Sequence, residues 1–405
     1  MPGRLALGLY RAVVTTAATA DSTGASPPAP SQVAVVATSV LTTISCVYPA
    51  FLVGGLGVQL RDELAIGETF FGIIFGSFFF GAMLSSVLGG RLVERIGARR
   101  ALISALMLLI VVDLAIAVFV NDGIVLLTFL VVAGVANAVG QTGANKLLSQ
   151  GARERLALAI AIKQSGMPSG TLLAGLAVPA IALTVGWRWA YVSAAVVATI
   201  ALAMAIRNAP AQHGVLASGG QPVSTKRSLR VAAAGAAFAA GVAGTLGGWL
   251  VSSATEAGIA EGAAGLLLSF GSLMGITVRL IVGSRADASD RRPVAGAAFL
   301  LGGGAIGLFL FALGIAWVFV PAAIVAFGLG WAWPALFNYG VVRTNVAAPG
   351  AATGVTQTGV YVGVLSAPIA FGVLVDNAGY SWAWIVAGIS ALIGAVLFWT
   401  VADDF

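Results

Sequence analysis

The sequence predicts an all-α integral membrane protein of twelve transmembrane helices, built as two parallel six-helix repeats. Three observations predict it. Apolar residues make up 59% of the 405-residue chain and charged residues only 9%, against about 25% charged in soluble domains. Apolar runs of about 20 residues, long enough to cross roughly 30 Å of hydrocarbon, follow one another along nearly the whole chain. A set of short motifs also returns at a fixed offset of 193 residues.

The first six spans are expected near 32–57, 69–90, 101–120, 123–148, 157–181 and 187–206. The second six are expected near 230–254, 262–282, 294–315, 316–341, 351–375 and 381–402. Helices are required rather than barrel strands, because the runs lack alternation and each backbone polar group in lipid needs an internal partner. Residues 1–31, with "STGASPPAPS", are expected to be a disordered tail and not a cleaved signal, since the apolar stretch at 5–14 is short and interrupted. The expected divisions are therefore a tail at 1–31, a six-helix bundle at 32–206, a cytoplasmic linker at 207–228 and a second bundle at 229–405.

The net charge of +6 does not point to nucleic acid. With both termini inside, Arg91, Arg95, Arg99, Arg100, Arg153, Arg155, Arg207, Lys226, Arg227, Arg230, Arg285, Arg291, Arg292 and Arg343 all fall on the inner side, and Arg61 and Arg188 fall outside. That asymmetry sets the orientation expected in a cell (inner) membrane, and the basic groups serve as anchors to anionic lipid. Cys46 and His213 are the only cysteine and histidine, so neither a disulfide nor a thiolate or imidazole cluster can form within the chain. No metal or cofactor is expected. No phosphate-binding loop ending in Lys and Ser or Thr is present, and no clustered acids suggest an enzyme.

The repeat is read from several spans without a shift. "GGRLVERIGARR" at 89–100 returns as "GSRADASDRR", placing Gly283 opposite Gly90 and Asp287 opposite Glu94. "KQSGMPSG" at 163–170 faces "TQTGVYVG" at 356–363, and "GWRWAYV" at 186–192 faces "GYSWAWI" at 379–385. Asn145 and Asn338 are also 193 apart, as are Glu63 and Glu256, and Glu68 and Glu261. An even number of spans per copy inserts both halves the same way up, with a substrate path between them near the midplane.

The link Gly90, Glu94, Arg95, Gly97, Arg99 and Arg100 resembles the signature between spans two and three of the major facilitator superfamily. It departs from that pattern in having Glu94 where aspartate is commoner, and Asp290 where the second copy of the motif would have its second glycine. The resemblance implies the major facilitator fold over about 32–402 and alternating access. It also implies that Glu94 holds an inner gate closed on a helix of the other half, such as one starting near Ala351; Gly283 and Asp287 form the matching gate element. The bland alternative is that these arginines only anchor a loop to headgroups.

Lys163 lies roughly 10 Å into span five beside Gln164. A lysine near the bilayer centre costs about 2.5–3.5 kcal/mol on insertion scales, so a wet cavity is expected around it. Its alternative is snorkelling, which suits Lys146 better because Lys146 is near the end of its span. Repeat partners of Lys163 and Lys146 are Thr356 and Tyr339, so one half offers cations and the other hydroxyls and rings. The expected substrate-binding set is Lys163, Gln164, Asn145, Lys146, Asn338, Tyr339, Gln357, Tyr361, Trp331 and Trp333. Asp113 is expected to be protonated or turned outward, Arg279 to snorkel or support the inner gate, and Trp187, Trp189, Trp382 and Trp384 to form an aromatic belt.

Within the superfamily, "KQSGMPSG" and "TGVTQTGVYVG" look more like the cyanate and organic-anion porters than the drug exporters. Expected function is proton-coupled uptake of a small organic or inorganic anion by a monomer. Alternatives are a proton-driven exporter of drugs or secondary metabolites, and a non-transporting membrane sensor on the same scaffold.

Overall fold

The computed structural model describes residues 31–151, 161–210, 227–286, 292–345 and 349–405. The tail before Ser31, most of the linker at 207–228, and Asp287 lie outside them. Described residues form helices and short connections, with no strand among them.

Helix α1 (Gln32–Gly55) starts where the Ser31 hydroxyl accepts the Ala34 N–H, and it continues after a break into α2 (Gly57–Leu64). Next come α3 (Glu68–Ile96), α4 (Ala98–Phe119) and α5 (Gly123–Gly151). Asp122 caps α5 through the N–H groups of Ile124 and Val125, at 2.8 and 2.9 Å. The span Ala161–Val185 contains α6 (Gly166–Ala177) and a π turn at Val178–Ala182, where Pro179 removes one N–H from the ladder. Helix α7 (Trp187–Asn208) closes the first half.

The second half holds α8 (Arg227–Glu256), α9 (Glu261–Ala286) and α10 (Pro293–Phe311). Two short helices follow, α11 (Phe319–Gly328) and α12 (Pro334–Thr344), in place of the continuous span expected at 316–341. The last two expected spans run together as α13 (Pro349–Thr400), bent where Gly379 takes φ 82°, ψ 170°. Among the described residues, ten helices are long and apolar enough to cross a membrane.

The repeat is visible in backbone conformation. Gly186 (φ 100°) and Gly379 (φ 82°) take the same unusual geometry 193 residues apart, and so do Ala65 (φ 50°) and Gly258 (φ 87°). Contacts between the halves obey the same offset. Gly54 packs on Gly247, its own repeat partner, so α1 and α8 touch near a pseudo-two-fold axis. Gly72 of α3 approaches Pro368 of α13, and Gly265 of α9 approaches Gly175 of α6, which is the same contact with the halves exchanged. A Cβ on Gly72 would lie 2.5 Å from the Pro368 carbonyl oxygen, and one on Gly265 would lie 2.7 Å from that of Gly175. Only glycine permits backbones this close.

These seals sit toward the face carrying Glu68 and Glu261. Toward the opposite, basic face the described residues of the α3–α13 flank become exposed. The α3 face that meets α13 at Gly72 and Gly76 continues at helical spacing to Val87, which is 65% exposed, and Gly90, which faces open space. On α13 the matching face runs to Gln357, Thr358 and Gly354, all exposed. The α6–α9 flank stays closed further, through the Ser269 hydroxyl donating to the Leu172 carbonyl at 2.9 Å.

A valine at position 54 is expected to overpack this seal by about 1–3 kcal/mol. Gly54→Val should increase maleimide labelling of a cysteine introduced at Ser252, which is only 2% exposed in this structure. Unchanged labelling would show that the glycine contact does not hold the halves together.

Candidate functional site

Lys163 precedes α6 by one turn and is 7% exposed. Its ammonium donates to Gln141 Oε1 of α5 at 2.6 Å. The Thr43 hydroxyl of α1 approaches the same oxygen at 3.5 Å, and Gln141 Nε2 is buried without a partner among the described residues. Gly166 and Gly170 let this lysine-bearing segment lie against Thr43 and Val47 of α1. Lys163 thus points into the first half's polar seam, held by a neutral amide and, among the described residues, by no carboxylate.

Arg279 of α9 is 1% exposed, so it does not snorkel, the first of the two roles expected from the sequence. Its Nη1 donates to the Gln164 carbonyl of the first half at 2.5 Å, and its Nη2 donates to the Trp331 carbonyl of the second. Both acceptors are carbonyls that the helices leave free. Pro168 stands four residues after Gln164 and has no N–H to give it. Four residues after Trp331, the Ala335 N–H bonds Ala332 instead, at 3.4 Å, because the chain turns between α11 and α12. A proline four residues after a buried carbonyl was the available signal; that an arginine from the other half would answer it was not.

Other expected substrate-binding residues are dispersed. Gln164, Asn338, Tyr339 and Tyr361 are half-buried, and Asn145 and Gln357 are exposed. Trp331 is buried and meets Phe51 of the first half edge-on, with ring centroids 5.7 Å apart. Trp333 turns the other way, onto Phe337 and Phe398 at 5.4 and 5.5 Å, so it packs the second half's core instead of lining the passage. Lys146 is engaged with Glu94 Oε2 at 2.7 Å.

That ion pair joins two helices of the same half. Among the described residues Glu94 makes this one ion pair, within its own half; the segment just before Ala351, where the helix it was expected to meet begins, lies outside them. Gly97 (φ 84°) makes the turn from α3 to α4, Arg99 donates to the Ile206 carbonyl at 3.0 Å, and Arg95 and Arg100 are exposed. Gly283 is buried near the end of α9. Asp113 faces inward, 0% exposed, close enough to interact electrostatically with Cys46, Tyr48 and Tyr191.

At the opposite face the halves are tied by side chains. Gly67 gives α3 no capping side chain, and Asp376 of α13 supplies one, accepting the Thr69 N–H at 2.9 Å and its hydroxyl at 2.5 Å. Glu68 pairs with Arg61 and accepts the Tyr380 hydroxyl at 3.2 Å. Trp189 and Trp382 are 57% and 58% exposed, as a belt requires, but their neighbours Trp187 and Trp384 are buried. Those two donate their indole N–H groups to Glu63 at 2.6 Å and Ser253 at 2.7 Å.

Two helical halves packed glycine to backbone, with buried Lys163 and Arg279 in no ion pair among the described residues, fit a membrane transporter scaffold. The chain matches the model of the Major Facilitator Superfamily over residues 33–363 and 232–404, and it belongs to that family of transporters. It is similar to the "Putative metabolite transport protein YwtG" of Bacillus subtilis (strain 168), at 26% identity over 183 residues. That alignment takes in 45% of this chain and 40% of the relative, so the chain matches less than half of that protein's length.

Burial works to raise the Glu63 carboxyl pKa, but hydrogen bonds from Arg188 and Trp187 and the Arg188 charge outweigh it and hold the group below its ordinary value of 4.5. A depressed carboxyl stabilises the fold above its unfolded value and stops doing so as pH falls through the folded one. Melting temperature should therefore fall with acidification below about pH 4.5 more steeply in the wild type than in Glu63→Gln. Equal acid sensitivity would contradict this.

Proposed function

We propose that this transporter takes up a small organic or inorganic anion with protons, by alternating access between its two halves. The observation that carries the proposal is Lys163: a cation buried within a span, bound to a neutral glutamine and unpaired with any carboxylate among the described residues. An unpaired buried charge raises the affinity of its surroundings for an opposite one. Gln164, Asn145, Asn338, Tyr339, Gln357, Tyr361 and Trp331 complete the proposed path, with Lys146 serving Glu94.

The basic face is taken as cytoplasmic, which puts both termini inside a cell (inner) membrane. Counting α13 as two spans and α11 with α12 as one gives twelve. The parted basic face then corresponds to an inward-open state, in which Asp376 and the glycine contacts close the outside. Glu94 is proposed to exchange Lys146 for the second half when the inside closes. The Phe51–Trp331 contact favours a second possibility, an exporter of hydrophobic compounds.

Counterflow in proteoliposomes against carboxylates, cyanate, nitrate and hydrophobic cations separates the two. At least one anion should exchange, and Lys163→Met should slow it by about tenfold or more, the loss of roughly 1.4 kcal/mol of binding. Exchange of a cation alone, unaffected by Lys163→Met, would overturn the proposal.

A further inference from the structure

We propose that Arg279 is the second half's anion-binding group, and that the transported anion has two negatively charged ends, one taken by Lys163 and the other by Arg279. This rests on the anion transport proposed above. The two cations come from different halves and meet one short segment of span five: Lys163 precedes Gln164 in the chain and reaches Gln141, and Arg279 holds the Gln164 carbonyl. Among the described residues the ion pairs are Arg61–Glu68, Lys146–Glu94, Arg188–Glu63 and Arg292–Asp403; neither Lys163 nor Arg279 belongs to one. Arg279 Nε is buried and has no partner there either.

Two neutral carbonyls orient a guanidinium but leave its charge uncompensated, which is expensive at 1% exposure. Satisfying those carbonyls does not require the charge, since a neutral side-chain amide donates to a carbonyl equally well. What a guanidinium adds is a fork that matches a carboxylate. A monovalent anion would neutralise one cation and leave the other bare. A dicarboxylate neutralises both.

The repeat points the same way. Positions equivalent to Arg279 and Lys163 are Ser86 and Thr356, whose hydroxyls bond carbonyls of their own helices, Met83 at 2.8 Å and Thr353 at 3.1 Å. The cations therefore sit on the α6–α9 flank alone, and that flank is the one held closed. An anion that draws Arg279 from the Gln164 carbonyl removes a tie between the halves, so occupancy and opening are linked through one side chain.

The test is counterflow of succinate and of butyrate, which share four carbons and differ by one carboxylate, in proteoliposomes of the full chain. Wild type should exchange succinate at least about tenfold more efficiently than butyrate, and Arg279→Gln should reduce that ratio to near one by raising the KM for succinate. Arg279→Lys should recover part of it. A purely structural arginine would lower both substrates together and leave the ratio intact, which would overturn the proposal. If Arg279→Gln does not fold, Arg279→Lys and succinate quenching of wild-type tryptophan emission, compared with Trp331→Phe, decide: no quenching specific to Trp331, or a ratio unchanged in Arg279→Lys, counts against it. Wild-type exchange of anions without preference for succinate defeats the two-ended substrate alone; exchange of no anion defeats the underlying transport proposal as well.

Discussion

Backbone-to-backbone contact at glycine is the constraint on which the rest of this structure depends. Lipid provides no hydrophobic force between helices, so two halves in a membrane hold together through close packing and polar ties. Gly54 against Gly247, Gly72 against Pro368 and Gly175 against Gly265 supply that packing in a two-fold pattern. Side-chain ties add to it at the same face, where a carboxylate of one half caps a helix of the other through Thr69 and Asp376. On the α3–α13 flank these contacts lie toward one face, whereas the α6–α9 flank carries further ties through Ser269 and Arg279.

Charge placement follows from the same medium. A cation in a span must find a partner or define a site, and the chain shows both outcomes. Lys146 finds Glu94, and Arg188 finds Glu63. Among the described residues Lys163 and Arg279 find only neutral oxygens, those of Gln141, Gln164 and Trp331. Two of these oxygens are available because proline and a broken helix remove their usual N–H partners, so helix irregularity at membrane depth and the polar seam are one feature.

Much of this was legible in the sequence. The 193-residue offset anticipated backbone geometry as well as residue identity: Gly186 and Gly379 share a left-sided φ, and the contacts between halves exchange under the same offset. Hydropathy located the helices to within about six residues, apart from the division of 316–341 into α11 and α12 and the running together of the last two spans as α13. What composition left hidden depends on rotation about a helix axis. Trp187 and Trp189 are two residues apart, yet one is buried on Glu63 and the other exposed. Of the two expectations for Asp113, protonated or turned outward, its burial removes the outward one for the same reason. Glu94 illustrates a different limit: the motif located the acid, but its partner among the described residues, Lys146, belongs to the same half.

Reciprocal motion of the two faces is the central claim, and electron–electron distance measurement on pairs of spin labels tests it most directly. One pair would join Val87 to Thr358 on the basic face and another Asp62 to Asn377 on the opposite face, in the full chain in lipid. The account predicts a long distance in the first pair together with a short one in the second, and a second population with the two reversed. Distances that lengthen together, or a single fixed population of each under all conditions, would contradict it.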